Sequence, residues 1–162
     1  MSTENYVLDF LLSSGLSDDP SAVLLNPMII ETNAPPGHER SFEPDAMVRK
    51  NDTTLFVFFV RSNPPADLKV VADNLRSVEL ILFGPYKLNI GHTASKIIIV
   101  FDAAVDQGAF EEFLLQKSYT FEFPLLLTNN KGQKITQYLK EKPFLHRLKD
   151  RLLNLGKRSI EY

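Results

Sequence analysis

The chain has 162 residues, 44% hydrophobic and 23% charged, which is the balance of one globular domain able to bury a core without covalent staples. It has no cysteine, which excludes disulfides, thiolate catalysis and cysteine-ligated zinc. The net charge of -2 conceals a division: residues 131–162 hold nine Lys and Arg against three acids (+6), leaving nine against 17 (-8) on residues 1–130.

The first residues carry Glu4 and Asp9 and lack the basic start of a signal peptide, so the expectation is an intracellular protein that is not secreted. Tyr6, Val7, Phe10 and Leu11 share a helical stripe, which predicts a helix over 4–14 ended by Gly15. Residues 22–30 are apolar but hold Pro27, which predicts two short pieces or an edge strand. Residues 33–40, Asn-Ala-Pro-Pro-Gly-His-Glu-Arg, read as a loop. A strand is expected over 42–49, then a turn at Lys50-Asn51-Asp52.

The run Thr53 to Val60, Thr-Thr-Leu-Phe-Val-Phe-Phe-Val, is continuous rather than alternating, as in a strand covered on both faces. Residues 62–65 break it. Leu68, Val71, Ala72, Leu75 and Leu82 mark a helix over 67–83, whose last six residues could also form a strand. A buried strand follows at 96–102, a helix at 106–116 and a strand at 119–127. Residues 133–139 read as helical. Beyond Pro143, Leu145, Leu148, Leu152 and Leu155 recur at steps of three and four, the stripe of an amphipathic helix. Arg147, Lys149, Arg151, Lys157 and Arg158 accompany it and are the candidate contacts to nucleic acid or an acidic partner. No apolar stretch is long enough to span a membrane, and no membrane partner is expected. The expected organisation is an α/β domain over 1–130 and a basic helical extension of the same domain over 131–162.

Catalytic and metal motifs are incomplete. His38, His92 and His146 lie far apart, without ligand spacing, and residues 84–91 lack the glycine spacing and Gly-Lys-Ser/Thr end of a phosphate loop. No Gly-x-Ser-x-Gly occurs, and neither Ser41 nor Ser95 has a local base.

The order of expected elements, αβββαβ with a mixed central sheet, flanking helices and added C-terminal helices, resembles the restriction-endonuclease-like fold of the PD-(D/E)XK nucleases. The resemblance implies an Asp from the second strand and a Glu-x-Lys pair from the third, the carboxylates holding a divalent metal that activates water and the lysine steadying developing charge. Here Glu43-Pro44-Asp45 is assigned to the second strand, and the third ends Phe58-Phe59-Val60-Arg61. Phe59 stands at the acid's position and Arg61 at the lysine's. Phenylalanine cannot ligate a hard cation, whereas arginine can still touch phosphate. If the protein is a nuclease, Asp45 would ligate Mg²⁺, Arg61 would contact phosphate, and the missing acid would come from Asp67, Glu79 or Glu31. Otherwise no cofactor is expected.

The same residues resemble a second family. Pro44 to Asp52, the 55–59 strand, the break at Ser62-Asn63-Pro64-Pro65, the helix opening at Asp67, and the later runs 97–100 and 109–114 are similar to the N-terminal jaw domain of the fifth subunit shared by the eukaryotic nuclear RNA polymerases. The similarity covers about 42–127, and the family's C-terminal assembly domain has no clear counterpart here. It implies a nuclease-like fold without the nuclease site, protein-complex partners and a nuclear location. Three functions follow: a non-catalytic scaffold domain of a polymerase or other nucleic-acid-processing assembly; a metal-dependent nuclease with a displaced acid; or a nucleic-acid binder acting through the basic C-terminal helix.

Overall fold

The run Thr53–Val60 is the strand around which the protein is organised. In the computed structural model, which describes residues 3–61, 64–86, 94–131 and 134–138, it is the fifth of eight strands. These are β1 (Val23–Leu25), β2 (Ile29–Ile30), β3 (Ser41–Phe42), β4 (Ala46–Lys50), β5 (Thr53–Val60), β6 (Ala94–Phe101), β7 (Leu125–Asn129) and β8 (Thr136–Gln137). The helices are α1 (Thr3–Ser13), α2 (Leu68–Phe83) and α3 (Ala104–Gln116). The protein is an α/β fold with a six-stranded mixed sheet in the order β1-β4-β5-β6-β7-β8. Its pairs are antiparallel except β5–β6 and β6–β7, which are parallel. Within that sheet, α1, β1, β4, β5, α2 and β6 give the expected αβββαβ order. Strands β2 and β3 form a separate antiparallel pair.

The unbroken apolarity of β5 has the expected cause. Leu55 and Val57 pack into a cluster with Val7, Phe10 and Leu11 of α1. Phe56, on the opposite face, packs with Leu75, Val78 and Ile81 of α2 and with Phe110 and Leu114 of α3. Ile97 to Phe101 of β6 are essentially solvent-free, with Ile97 and Ile99 in the α2–α3 cluster and Ile98 and Val100 in the α1 cluster. Both β5–α2–β6 and β6–α3–β7 are parallel crossovers. The sheet steps the same way twice, so the common hand of such connections puts α2 and α3 on one face. That face has two helices; among the described residues the other has α1 alone.

Local sequence explains most element ends. Gly15, at φ +77°, takes the left-handed conformation that closes α1. Asp67 caps α2 by accepting from the Lys69 N–H at 3.0 Å, and the helix runs unbroken to Phe83. Asn51, at φ +55°, and Asp52 form the two-residue loop between Lys50 and Thr53. Asn26 at φ +49° and Pro27 split the 22–30 run into β1 and β2.

Three expectations are corrected. The strand expected over 42–49 is two strands in different sheets, β3 and β4, separated at Pro44-Asp45. The strand expected from 119 begins at Leu125. The helix expected over 133–139 is absent from its described part: Thr136 and Gln137 pair with Leu127 and Leu126 as an edge strand, and Tyr138 N–H donates to the Leu125 carbonyl at 2.8 Å. Non-local ladder bonds outweigh a short local helical preference. The leucine stripe 145–155 lies outside the described residues.

Candidate functional site

Asp45 sits immediately before β4, not within it, because buried Pro44 turns the chain there out of the β2–β3 pair. Its backbone joins three strands. The N–H donates to the Val57 carbonyl at 2.9 Å, and its carbonyl accepts from Asn26 N–H at 3.0 Å. Its side chain reaches the end of β5, where Oδ2 accepts from the Phe59 backbone N–H at 2.7 Å. Partial burial pushes the carboxyl above its ordinary range, while the Phe59 N–H and the nearby Arg61 guanidinium pull the other way.

Asp45 and Phe59 therefore meet at the end of β5, and Arg61 stands one residue beyond that strand. The Phe59 ring lies on the α1 face, edge-on to Phe10 at 5.4 Å and to Tyr6 at 5.8 Å between centroids. Arg61 follows β5 in an exposed position. The site thus presents one carboxylate, already bonded to a backbone amide, and one guanidinium, with a half-buried aromatic ring where a second carboxylate would be needed.

The three alternative acids are engaged elsewhere. Glu31 is buried and holds Arg40 through three bonds: Oε1 accepts from the Arg40 backbone N–H (2.9 Å) and Nε (2.8 Å), and Oε2 from Nη2 (2.9 Å). The Arg40 hydrogen bonds hold the Glu31 carboxyl below the usual carboxylate range. Asp67 caps α2. Glu79 accepts from Arg76 Nη1 at 3.1 Å and from Glu122 N–H at 2.8 Å. Among the described residues, no three His, Asp or Glu side chains group closely enough to hold a metal ion. These residues do not fit a divalent cation, which needs several oxygen ligands at one point.

His38 is an exposed loop residue. His92, His146 and the basic residues Arg147, Lys149, Arg151, Lys157 and Arg158 lie outside the described residues. No described helix is long and apolar enough to cross a membrane.

Other features were not anticipated from sequence. Leu24, Met28 and Ile30, at 54%, 59% and 44% exposure, stand on β1, which is an edge strand among the described residues, and on the adjoining β2 and its approach. A cleft of about 250 Å³ runs between the second half of β5 and α2, lined by Phe58, Val60, Val71, Asn74, Leu75 and Ile99 among others. On the opposite face, a second cleft of about 290 Å³ lies beside the end of α1, with Leu16, Val48, Leu55 and Leu126 inside and Lys50 and Lys96 at its rim. The crossover rule alone could have shown that α2 and α3 share one face of the sheet. No family model, curated protein or solved structure matches this chain, so its functional reading rests on its own residues.

Proposed function

We propose that the protein is a non-catalytic scaffold domain on a restriction-endonuclease-like fold, working by contact within a DNA-dependent RNA polymerase or another nucleic-acid-processing assembly. The observation that carries the proposal is the state of the Asp45 corner. The one carboxylate in the expected place is a structural acceptor for the Phe59 N–H, and the Phe59 side chain is committed to Tyr6 and Phe10. The αβββαβ order supports the fold assignment. The exposed apolar side chains at the β1 edge support a role in contact. On this reading the protein works in the nucleus, where the polymerases act.

The test is affinity purification of the tagged 162-residue chain from native extract, followed by identification of what co-purifies. Recovery with polymerase subunits in stoichiometric amounts is the expected result; recovery free of any such subunit rejects the polymerase assignment. In parallel, the purified protein is incubated with DNA and RNA in the presence of Mg²⁺ or Mn²⁺. Cleavage that disappears in Asp45→Ala would overturn the non-catalytic reading.

A further inference from the structure

We propose that the cleft beside the end of α1 is a binding site for a free monocarboxylic acid with an aliphatic body of medium length. Its carboxylate is held between Lys96 and Lys50, and its chain lies on Leu16, Leu55 and Leu126. The polarity of the cleft follows from strand register. Alternate residues of a strand share a face. Val48 and Lys50 of β4 therefore project to the α1 side together with Leu55 and Thr53, their partners on β5. Lys96 of β6 is the register partner of Leu55. Leu126 of β7 is the partner of Ile98, which belongs to the α1 cluster. The apolar side chains thus form the floor, and the polar ones gather where β4 turns into β5 and near the start of β6.

Charge fixes the kind of ligand. Lys50 and Lys96 stand two strands and two residues apart, which is about 12 Å between Cα atoms, so both side chains reach one anion placed between them. Lys96 is half-buried, and among the described residues no hydrogen bond or ion pair holds its ammonium. A cation drawn partly out of water over apolar surface gains most from an anion set against it. Lys50 is paired with Asp18 at 2.9 Å, but the Asp18 side chain is 74% exposed. Such surface pairs are weak and exchange readily. One unpaired ammonium and one shared suit a single negative charge. The lining holds no arginine, and so lacks the planar fork that grips phosphate through two bonds.

Size fixes the body. The cleft measures about 290 Å³, the small end of ligand sites, which run from about 300 to 1,000 Å³. At about 30 Å³ for each heavy atom, the liquid volume of one water, it takes on the order of ten atoms. That is one chain of medium length and not the paired acyl chains of a membrane lipid.

Octanoate is the probe, titrated into the 162-residue protein and followed by amide NMR. Saturable one-to-one shifts are expected at Leu16, Thr53, Lys96 and Leu126, far below the concentration at which octanoate forms micelles. Octanol should bind about tenfold more weakly, the effect of losing one hydrogen bond to a charged group. Lys96→Gln should weaken octanoate to the same degree and leave octanol unchanged, while Lys96→Arg should restore octanoate binding. Lys50→Gln supplies the same comparison should Lys96→Gln not fold. Asp18→Asn, which releases Lys50, should tighten octanoate several-fold. The proposal is overturned by an absence of saturable shifts, by shifts centred on the cleft between β5 and α2, or by equal affinity for octanol. It is also overturned by shifts at the cleft that appear on concentrating the protein alone, which make its occupant a second copy.

Discussion

At the scale of single residues, two carboxylates are set in opposite senses, and their opposition is measurable. Asp45 is an acceptor for the Phe59 backbone amide at the end of β5. Asp45→Ala should therefore cost about 1–2 kcal/mol, the usual effect of leaving a partly buried donor unsatisfied, or a melting temperature lower by about 2–4 °C per kcal/mol in a chain of this size. Asp45→Asn keeps an acceptor oxygen and removes the buried charge, so its melting temperature should stay near that of the parent at neutral pH. The pH profile separates the two acids further. Burial raises the Asp45 carboxyl in the folded protein, so the folded state binds its proton more tightly than the unfolded chain. Stability from this group accordingly rises as pH falls from its raised value toward 3.8. The Arg40 hydrogen bonds lower the Glu31 carboxyl. Its contribution is present above 4.5 and is lost as pH falls through the lowered value. Melting curves from pH 7 to pH 2 should show a steeper acid loss in Asp45→Asn and a shallower one in Glu31→Gln, with Glu31→Gln less stable than the parent at pH 7. The residue types at Asp45, Phe59 and Arg61 were legible in sequence, since two-residue spacing on a strand puts Phe59 and Arg61 on one face. That Asp45 bonds the backbone of Phe59 was not legible, because it depends on the β4–β5 register and on where Pro44 turns the chain.

At the scale of elements, sequence pattern succeeded where burial is periodic and failed where long-range contacts decide. Helices α1 and α2 and strands β5 and β6 follow from apolar spacing, because each buries a defined face or both faces. Strand β8 holds only Thr136 and Gln137, too short for any period, and exists through its ladder to β7. Residues 119–123 alternate aromatic and polar side chains like a strand, yet β7 starts only at Leu125. What holds them is a clamp from α2. Arg76 donates to the Thr120 carbonyl and lies 5.1 Å from the ring centroids of both Tyr119 and Phe121. Glu79 accepts from Glu122 N–H. Tyr119, Phe121 and Phe123 stack in sequence. Arg76 is partly exposed, so each cation–π contact contributes about 0.5–1 kcal/mol. Arg76→Ala should thus destabilise by about 1–2 kcal/mol in urea denaturation at constant slope. It should also speed amide exchange at Glu122 while leaving β5 and β6 protected. Arg76→Lys, which keeps the charge but not the planar fork, should recover less than half of the loss.

At the scale of the whole molecule, the fold class could be read in advance because its cause is simple: consecutive apolar strands joined through amphipathic helices have few ways to bury both faces. Function was harder to read, since a fold supports chemistry only through a particular set of side chains. The proposed reading is contact, and it makes a prediction about metal. A sheet that kept a nuclease centre would bring several carboxylates to one point, and a divalent cation bound there would stabilise the folded state by mass action. In this protein Glu31, Asp67 and Glu79 are each tied to their own local partners, and Asp45 meets an amide and a guanidinium. Thermal unfolding in chelator should therefore be superimposable on unfolding in about 10 mM Mg²⁺ or Mn²⁺ at matched ionic strength. A centre with a dissociation constant near 0.1 mM would be occupied at about a hundredfold excess and would add about 2.7 kcal/mol, a rise of about 5–10 °C for a chain of this length. Such a rise, abolished by Asp45→Asn, would mean that the acids rearrange around a metal and that the Asp45 corner is a catalytic site after all. An unchanged curve, together with retained partner binding, is what a fold kept for contact requires.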